Sequence, residues 1–379
     1  MKVYMIGMFS LPDGTAAAQL IKGMIKIINE SGNEAVVIDT VESREVGAIQ
    51  KERMLIDGAE VIKIVFPYNL NGRLDKKLNY KIIREEIEPG NAIMCYNYEA
   101  FIMLRFILDK KAKFKIVPMI TEWYQVEKGL SLNLLFQRLD IAMRMKHVAK
   151  YSDAMVVCSS LLDNYYKESC PTVIIPTVVD YALPKWQQDS IPLDQQEINF
   201  IYAGSLGVKK DDICNVLKII EKASEGKPYK IRILGVSKED FVKKYPEEKG
   251  ISDNPNHIFM GRRPHQECIQ LIKSSDYSVL YRESNIVANA GFPTKFGESM
   301  ACGTPMICTN TSDLADYIEE GKNGFIIDFD VDKAAQEIKK VFSYTREDID
   351  RQKDYTANLK LFDYKKYVEP FKSMIDALH

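Results

Sequence analysis

The sequence predicts an α/β protein made of two doubly wound parallel-sheet units in series. Short apolar segments rich in β-branched residues alternate with segments of helical periodicity along most of the 379 residues. The alternation stops once, at a polar, proline-bounded stretch, and then restarts. Parallel strands need a crossover, usually a helix, and a chain of this length exceeds what one hydrophobic core serves. We expect a first domain at 1–185, a linker at 186–198, a second domain at 199–355, and a closing helix within 356–379 that packs back on the first domain.

The first unit is expected to begin with a strand at 2–9 and a helix at 16–29, in which Leu20, Met24 and Ile27 share one face. Its other strands are predicted at 34–39, 60–68, 91–98, 114–121, 154–158 and 172–175. Its other helices are predicted between the strands at 34–39 and 60–68, at 101–109 and at 131–149, with a short helix between the strands at 154–158 and 172–175.

The second unit is expected to contain strands at 200–203, 231–235, 257–260, 277–281, 305–309 and 325–328. Helices are predicted at 212–224, 239–245, 266–274, 314–320 and 331–342, and the closing helix at 364–378. Open α/β sheets bind ligands at the carboxyl ends of their strands. We therefore expect the two sheets to face one another across a cleft where the important loops meet.

The composition is that of an ordinary soluble globular protein, with 46% hydrophobic and 27% charged residues. The formal net charge of −2 gives no case for a nucleic-acid partner. Seven scattered cysteines are typical of a reducing cytosol, and four dispersed histidines argue against a zinc site or a catalytic triad. No apolar stretch approaches the roughly 20 residues that span a bilayer. We expect a cytoplasmic protein, with any membrane contact being peripheral.

Residues 291–305, G-F-P-T-K-F-G-E-S-M-A-C-G-T-P, predict a loop that opens into a helix of about two turns. Thr294 is the expected N-cap and Gly303 the residue just past the helix. A helix start favours anions, and Lys295 adds a positive charge where helix stability alone favours an acid. Glu298, one turn later, could accept hydrogen bonds from two neighbouring hydroxyls, as on a ribose. The segment therefore predicts a phosphate site followed by a diol site.

Two loops, one after the first strand of each unit, are further candidates for ligand binding. Asp13-Gly14-Thr15, followed by three alanines, could let a helix approach a ligand, but it lacks the G-x-G-x-x-G pattern and a surface turn is an equal alternative. In Y-A-G-S-L-G-V-K-K-D, Gly204 follows a strand, and Lys209 and Lys210 could reach a diphosphate. Two solvated lysines are the alternative interpretation of that loop.

Glu122, Trp123 and Tyr124 end a predicted strand of the first unit. A carboxylate beside aromatic rings suits a sugar, although rings more often serve core packing. The helical segment 137–150 carries four basic residues among apolar ones, namely Arg138, Arg144, Lys146 and Lys150. Such a helix can lie on an anionic membrane, although a solvated helix face is the more common case.

Asp328 and Asp330 have the D-x-D spacing of metal-dependent sugar-nucleotide binders. Asp330 stands directly before a predicted helix, where it serves better as an N-cap. We therefore expect no metal at this pair.

The ordered segments of the second half resemble the donor-binding half of retaining GT-B glycosyltransferases. They are Y-A-G-S-L-G-V-K-K, H-I-F-M-G-R-R, S-D-Y-S-V-L-Y-R, G-F-P-T-K-F-G-E-S-M-A-C-G-T-P-M-I and G-K-N-G-F-I-I. The group includes bacterial capsule and lipopolysaccharide transferases and glycogen-synthase-like enzymes, and the resemblance covers most of 199–342. The first half is similar only in pattern, through T-E-W-Y and V-V-D. The resemblance implies the GT-B fold, two Rossmann-like domains facing across a cleft, and metal-independent transfer of a sugar from a nucleotide-diphosphate sugar to a hydroxyl acceptor.

By this resemblance Glu298 is the second glutamate of the E-x7-E motif and would hold the donor ribose, whereas the first falls on Ala290. The lysines would neutralise the diphosphate, and Glu122 stands roughly where the family often has a histidine. The implied catalytic set is Lys209, Lys210, Lys295 and Glu122. The implied donor set also includes Gly204, Ser205, Arg262, Gly291, Phe292, Pro293, Thr294 and Phe296. The acceptor side comprises Gly14, Thr15, Trp123 and Tyr124.

The expected partners are a nucleotide sugar and a lipid-linked glycan acceptor in surface polysaccharide biosynthesis, with no resident cofactor. Peripheral contact with an anionic membrane is a further expectation. Two alternatives stay open: a sugar-nucleotide epimerase or hydrolase, and a catalytically silent nucleotide-binding partner subunit. Ala290 favours the second of these alternatives.

Overall fold

The computed structural model describes residues 1–12, 16–68, 76–125, 129, 131–206 and 211–378. The chain forms two compact units. The first comprises Met1–Val178, Ala290–Phe292 and Tyr364–His379, and the second comprises Val179–Asn289 and Pro293–Asp363. The first unit thus ends a few residues before the expected boundary at 185, and it includes two later segments of the chain.

The first unit contains a six-stranded sheet and a three-stranded sheet. The strands of the larger sheet are β1 (Lys2–Gly7), β2 (Glu34–Ser43), β3 (Gln50–Ile56), β4 (Ala59–Pro67), β5 (Ala92–Cys95) and β6 (Lys115–Ile116). They lie in the order β3-β4-β2-β1-β5-β6, and all pairs are parallel except β3 with β4. The smaller parallel sheet contains β7 (Met119–Ile120), β8 (Met155–Val157) and β9 (Thr172–Ile174).

The prediction of a helix between the strands at 34–39 and 60–68 is wrong, because that segment contains strand β3. Asp57 and Gly58 connect β3 to β4, with φ angles of 50° and 83°. Positive φ at both central residues is what a two-residue hairpin turn of the Asp-Gly type requires. The strand predicted at 114–121 is also divided into β6 and β7, at a segment containing Pro118, which cannot donate a ladder hydrogen bond.

The helices of the first unit cover both faces of its larger sheet. They are α1 (Ala16–Glu30), α2 (Lys76–Glu85), α3 (Ala100–Leu108), α4 (Leu132–Lys146) and α5 (Ser160–Tyr166). Met24 and Ile27 of α1 are buried in the core, and Leu20 packs against it, as the spacing predicts. Ser131 caps α4 by accepting the N–H of Leu134 at 3.3 Å, and a 3-10 turn at Val148–Tyr151 follows.

The second unit contains one six-stranded parallel sheet, which confirms the predicted strand series. Its strands are β10 (Ile198–Ala203), β11 (Tyr229–Leu234), β12 (His257–Gly261), β13 (Tyr277–Leu280), β14 (Met306–Thr309) and β15 (Gly324–Ile327). They lie in the order β12-β11-β10-β13-β14-β15, so the strand order reverses between β10 and β13. Ligands of open α/β sheets bind beside such a reversal, at the carboxyl ends of the strands.

The remaining helices include five of the six predicted ones and also three that were not predicted, Lys249–Asp253, Ile286–Ala290 and Arg346–Leu359. They are α6 (Ile213–Ser224), α7 (Lys238–Lys244), α8 (Lys249–Asp253), α9 (His265–Ser274), α10 (Ile286–Ala290), α11 (Thr294–Ala301), α12 (Val331–Ile338), α13 (Arg346–Leu359) and α14 (Val368–Asp376). The helix predicted at 314–320 is only a 3-10 turn, Leu314–Asp316. Asn323 donates to the Tyr317 carbonyl at 2.8 Å and accepts the Glu319 N–H at 2.7 Å, which holds this segment in a loop.

The end of the chain belongs to the first unit. A 3-10 turn, Tyr364–Tyr367, leads into α14, which packs beside α1. The Tyr364 hydroxyl donates to Glu30, and Phe371 and Ile375 are fully buried in the core. None of the described helices is long and apolar enough to cross a membrane.

Candidate functional site

The candidate site of the second unit lies at the carboxyl edge of its sheet, beside the reversal of strand order. Gly204 directly follows the end of β10, and Arg282 follows β13. These two strands are hydrogen-bonded neighbours in a parallel sheet, so the loops after them emerge at the same edge. Helix α11 begins on the chain segment that leads from β13 to β14.

The start of α11 differs from the prediction by one residue. Pro293 occupies the N-cap position, and Thr294 is the first helical residue, so the prediction of Thr294 as N-cap is wrong. Proline has the extended conformation that an N-cap needs, and no side chain caps the first turn. At the other end, Gly303 has φ of 70° and the Thr304 N–H donates to the Ser299 carbonyl at 3.0 Å. The predicted glycine termination is confirmed.

Lys295, in the first turn of α11, joins a buried charge cluster. Its amine pairs with Asp211 Oδ2, and Arg282 Nε donates to Asp211 Oδ1. The Tyr202 hydroxyl donates to Asp211 Oδ2 at 3.1 Å, and the lysine amine lies 4.5 Å from the centroid of the Tyr202 ring. The side chain of Asp211 is only 5% exposed. One buried carboxylate is therefore shared by two cations, and the three charged groups sum to one positive charge.

The ionisation of Asp211 follows from these neighbours. Burial opposes its charge, but Lys295 and Arg282 outweigh burial and lower the pKa of the carboxyl group. Asp211 is therefore a carboxylate at neutral pH. An unpaired carboxylate would be costly at this depth, and the two cations offset that cost.

Gly204 allows Lys295 to approach this loop. A Cβ atom at residue 204 would lie 1.9 Å from the lysine Nζ and 3.1 Å from the Tyr202 hydroxyl. Gly235, at the end of the neighbouring strand, has φ of 83°, and a Cβ there would lie 2.6 Å from the Gly204 carbonyl oxygen. Both positions accept only glycine without displacement of a neighbour. Ser205, the next predicted donor residue, is exposed.

Glu298 lies one turn further along α11. Its Oε1 is 3.2 Å from Nε2 of His265, the first residue of α9. The two side chains are 32% and 46% exposed, so the carboxylate is within reach of a ligand in solvent. Arg262, also predicted to contact the donor, is exposed in the connection between β12 and α9. Phe296, in contrast, is fully buried, so its side chain serves the core.

Ala290, at the position of the first motif glutamate, is fully buried in the first unit. Its carbonyl oxygen accepts from Ser159 Oγ at 2.7 Å and from Cys158 Sγ at 3.3 Å. Gly291 and Phe292 belong to the same unit, and Phe292 is 9% exposed. A buried methyl group therefore stands where the motif has a carboxylate.

The acceptor-side candidates of the first unit are described only in part. Gly14 and Thr15, like the lysine candidates Lys209 and Lys210, lie outside the described residues. Trp123 packs edge-on against Tyr165 at 5.0 Å, and Glu122 is half-buried. The Tyr124 ring lies 4.5 Å from the guanidinium of Arg144. The two rings thus contribute packing, and a contact with sugar stays a prediction.

The structure of α4 contradicts one part of the prediction of a basic helix face. Arg144 is buried and donates to Asn97 Oδ1 at 2.7 Å and Asp140 Oδ2 at 3.0 Å, so it is not part of an exposed basic surface. Arg138 is half-buried, whereas Lys146 and Lys150 are exposed. Three apolar side chains of α4 are also at least half exposed, namely Leu135, Phe136 and Leu139.

Asp330 caps α12, as predicted, by accepting the N–H groups of Asp332 and Lys333 at 3.0 Å. Within the described part of the chain, no three His, Cys, Asp or Glu side chains lie close enough to hold a metal ion.

Sequence reasoning missed Asp211, Arg282, Tyr202 and His265 as site residues. Two weak signals were available: Asp211 directly follows the paired lysines, and Arg282 follows the end of a predicted strand. Neither signal predicts that the two side chains meet.

Comparison with known proteins identifies the family of the second half of the chain and the fold of the whole. Residues 186–359 match the family model of glycosyl transferases group 1. Sucrose-phosphate synthase from Thermosynechococcus elongatus superposes with a TM-score of 0.66 and 14% identity, covering 100% of this chain and 98% of that one. The HepE protein of Anabaena, in complex with UDP and glucose, superposes with a TM-score of 0.67 and 15% identity, covering 100% of both chains.

The catalytic domain of starch synthase IV from Arabidopsis thaliana, bound to ADP and acarbose, gives a TM-score of 0.69 at 10% identity. This similarity covers 100% of this chain and 99% of that one. Comparison with curated protein sequences gives no significant match. The segment 186–359 is thus a glycosyl transferases group 1 domain, and the chain has the GT-B fold.

Proposed function

We propose that this protein is a glycosyltransferase that moves a sugar, with retention, from a nucleotide-diphosphate sugar to a hydroxyl acceptor in surface polysaccharide biosynthesis. The observation that carries the proposal is the Lys295–Asp211–Arg282 cluster at the carboxyl edge of the second sheet. The cluster has a net positive charge and includes the first turn of α11. A helix start with a lysine beside it favours an anionic ligand such as a diphosphate.

The proposed chemistry uses these cations at the leaving group. Breaking the sugar–phosphate bond leaves negative charge on the departing diphosphate, and preorganised cations stabilise that charge. Lys295 has three N–H donors and Arg282 has donors besides Nε, so both can contact phosphate while holding Asp211. With protein cations in this position, we expect transfer to proceed without a metal ion. Glu298 would accept hydrogen bonds from the donor ribose.

Retention is proposed to proceed by attack of the acceptor on the same face from which the diphosphate leaves. The departing phosphate oxygen takes the acceptor proton, so no enzyme nucleophile is needed. A study of trehalose-6-phosphate synthase concerns glycosyl transfer with retention, and that protein is 11% identical to this chain with a TM-score of 0.67. HepE holds UDP and starch synthase IV holds ADP, which favours a uridine or adenosine diphosphate sugar as the donor class here.

A catalytically silent, nucleotide-binding partner subunit is the second candidate. Ala290 favours it, because the buried methyl group provides no carboxylate at the motif position. The two candidates differ in one result: the silent subunit binds the donor but forms no glycosylated product.

A lipid-linked glycan acceptor and peripheral membrane contact are part of the proposal. The support is the exposed apolar side chains Leu135, Phe136 and Leu139 on α4, a helix that also bears the exposed Lys146. An amphipathic surface of this kind binds anionic membranes by apolar insertion and charge attraction. Flotation with anionic liposomes should recover the protein in the lipid fraction, and a Phe136→Ser variant should float less. Wild-type protein left wholly in the soluble fraction would contradict membrane contact.

The central experiment measures donor binding and transfer separately. Thermal shift with UDP, ADP, GDP and CMP, and with their sugar conjugates, should show stabilisation by one diphosphate family, because a ligand of the native state raises the melting temperature. The selected sugar nucleotide is then incubated with polyprenyl-linked acceptors, and the anomeric configuration of the product is determined by NMR. Stabilisation by no nucleotide would contradict the donor site, and stabilisation without product would favour the silent subunit.

A further inference from the structure

We propose that Asp211 is a positioning residue of the donor site, which holds the charged Lys295 amine and the Arg282 guanidinium in place for the donor diphosphate. This inference rests on the proposed function, since it assigns a diphosphate to that site. Asp211 itself does not contact the donor in this proposal. It acts through the two cations.

The two oxygens of the Asp211 carboxylate have different partners. Oδ1 accepts a hydrogen bond from Nε of Arg282, a residue that follows β13. Oδ2 accepts from the Lys295 amine, at the start of α11, and from the Tyr202 hydroxyl of β10 at 3.1 Å. One carboxylate thus links three separate elements at the point where the strand order reverses. Removing it would release both cations.

The backbone directly after Asp211 is held by hydrogen bonds. The next residue, Asp212, donates its N–H to the Tyr281 carbonyl at 3.0 Å, and its side chain caps α6 by accepting the N–H of Asn215 at 3.1 Å. The Arg282 backbone is held by Thr309, whose Oγ1 accepts the Arg282 N–H at 2.9 Å and donates to its carbonyl at 2.7 Å. Since both ends of the ion pair are anchored, Asp211 can set the position of the cations.

The charge on Lys295 also depends on Asp211. Burial lowers the pKa of the lysine, Asp211 opposes this effect, Arg282 adds to it, and Glu298 on the same helix opposes it weakly. The Tyr202 hydroxyl, 3.4 Å from the amine, also faces Lys295. Without Asp211, the buried lysine amine would lie beside the Arg282 guanidinium and would lack its main counter-ion. A buried lysine in that situation loses its proton more easily.

Asp211 does not cancel the charge needed for a phosphate. Its single negative charge is opposed by two positive charges. A lysine amine has three donors, so it can bind the carboxylate and a phosphate oxygen at once. The carboxylate therefore orients the amine without consuming its hydrogen-bonding capacity.

The test is an Asp211→Asn variant, with UDP and ADP as probes in isothermal titration calorimetry at pH 6, 7 and 8. Affinity for the nucleotide that binds the wild type should fall at least about tenfold at pH 8, which is one pKa unit of lost interaction. The loss should be smaller at pH 6, where Lys295 regains its proton, and Asp211→Glu should recover part of the affinity. Asp276→Asn is the matched control: Asp276 is 2% exposed, pairs with Arg346 at 2.7 Å, and lies at the amino end of β13. It should bind nucleotide like the wild type.

A double-mutant cycle separates positioning from general stabilisation. In a Lys295→Met background, Asp211→Asn should weaken nucleotide binding by less than in the wild type, because the part of its effect that acts through the lysine is already lost. Equal losses in both backgrounds, or a loss independent of pH, would overturn the proposal. Unchanged affinity in Asp211→Asn would also overturn it.

A second measurement is independent of the donor and covers the case in which Asp211→Asn does not fold. With lysine labelled at the ε-carbon, NMR titration of Lys295 should show a lower pKa in Asp211→Glu than in the wild type, since the longer side chain cannot keep the same ion pair. An unchanged titration would overturn the proposed link between Asp211 and Lys295. A wild-type protein that binds no nucleoside diphosphate would instead overturn the proposed function and the diphosphate assignment, whatever the titration shows.

Discussion

Replacing Gly204 with alanine tests whether close packing against this loop positions the Lys295 amine. A Cβ atom there would lie 1.9 Å from Nζ and 2.6 Å from Cε of the lysine. Ordinary van der Waals contact begins at 3.4 Å, so Nζ would have to retreat by about 1.5 Å. The end of a lysine side chain moves more easily than backbone does. We therefore expect the variant to fold and its ion pair with Asp211 to lengthen.

The cost of this displacement follows from the charges. Lengthening an ion pair from about 3 Å to about 4.5 Å weakens the Coulomb attraction by about 2 kcal/mol at an effective dielectric constant of about 20. In a unit of this size, a loss of about 2 kcal/mol lowers the melting temperature by about 4–8 °C. The displaced amine should also bind the diphosphate less well. We expect an affinity for UDP, or for whichever diphosphate binds the wild type, that is lower by about tenfold, or about 1.4 kcal/mol.

Circular dichroism melting and calorimetry measure these two effects. Gly250→Ala is the matched control, since no atom of the described residues lies within 4 Å of a Cβ at that position, and it should bind like the wild type and melt no lower. Gly235→Ala should lose more stability than Gly204→Ala. Its φ is 83°, and its Cβ would meet backbone atoms that cannot move aside. A Gly204→Ala variant with wild-type melting temperature and affinity would refute the argument that this glycine sets the lysine position.

Three further predictions concern the same unit. Glu298→Gln should weaken binding of UDP or ADP by about tenfold but leave binding of the matching 2′,3′-dideoxy nucleotide unchanged; equal losses for both nucleotides would contradict ribose recognition. Lys295→Met should raise the activation free energy of transfer by more than it lowers the free energy of unfolding. Lys353→Met, which removes another largely buried lysine of the same unit, should lower the free energy of unfolding by more than it raises the activation free energy. The folded-state pKa of Asp211 is lowered, so its stabilisation should be complete above its unfolded pKa of about 3.9 and should be lost as the pH falls through the folded value. Urea unfolding from pH 7 to pH 3 should therefore show a shrinking difference between wild type and Asp211→Asn, and a constant difference would contradict this assignment.

Local patterns in the sequence were sufficient where local physics determines the structure. The strand series of the second unit, the short helix α11 and its termination at Gly303 follow from apolar periodicity and glycine chemistry. The Asp330 cap follows from the residue that precedes α12. The strand β3 was missed, although Asp57-Gly58 is a strong hairpin signal, because alternation of strands and helices led to the expectation of a crossover helix.

The ordered motifs of the second half also determined where an anion and a diol are expected. Residues 186–359 match the family model of glycosyl transferases group 1, which supports the family resemblance of these motifs. Lys295 and Glu298 were found in this way, since both stand on one short helix with defined spacing. Arg144 shows the limit of the same reasoning. Its place among apolar residues predicts a basic helix face, whereas its burial and its hydrogen bond to Asn97 depend on neighbouring elements.

The sequence by itself determined the alternation of elements, the family resemblance and the helix that carries Lys295 and Glu298. Only the tertiary structure placed Asp211 between Lys295 and Arg282, which are 84 and 71 residues away along the chain. Periodicity and capping act over a few residues, so they cannot encode which strand ends become neighbours. The strand order β11-β10-β13-β14 brings the loops that carry Asp211 and Arg282 and the start of α11 to one edge of the sheet. Because the site is buried, the single carboxylate serves as the counter-ion of both cations.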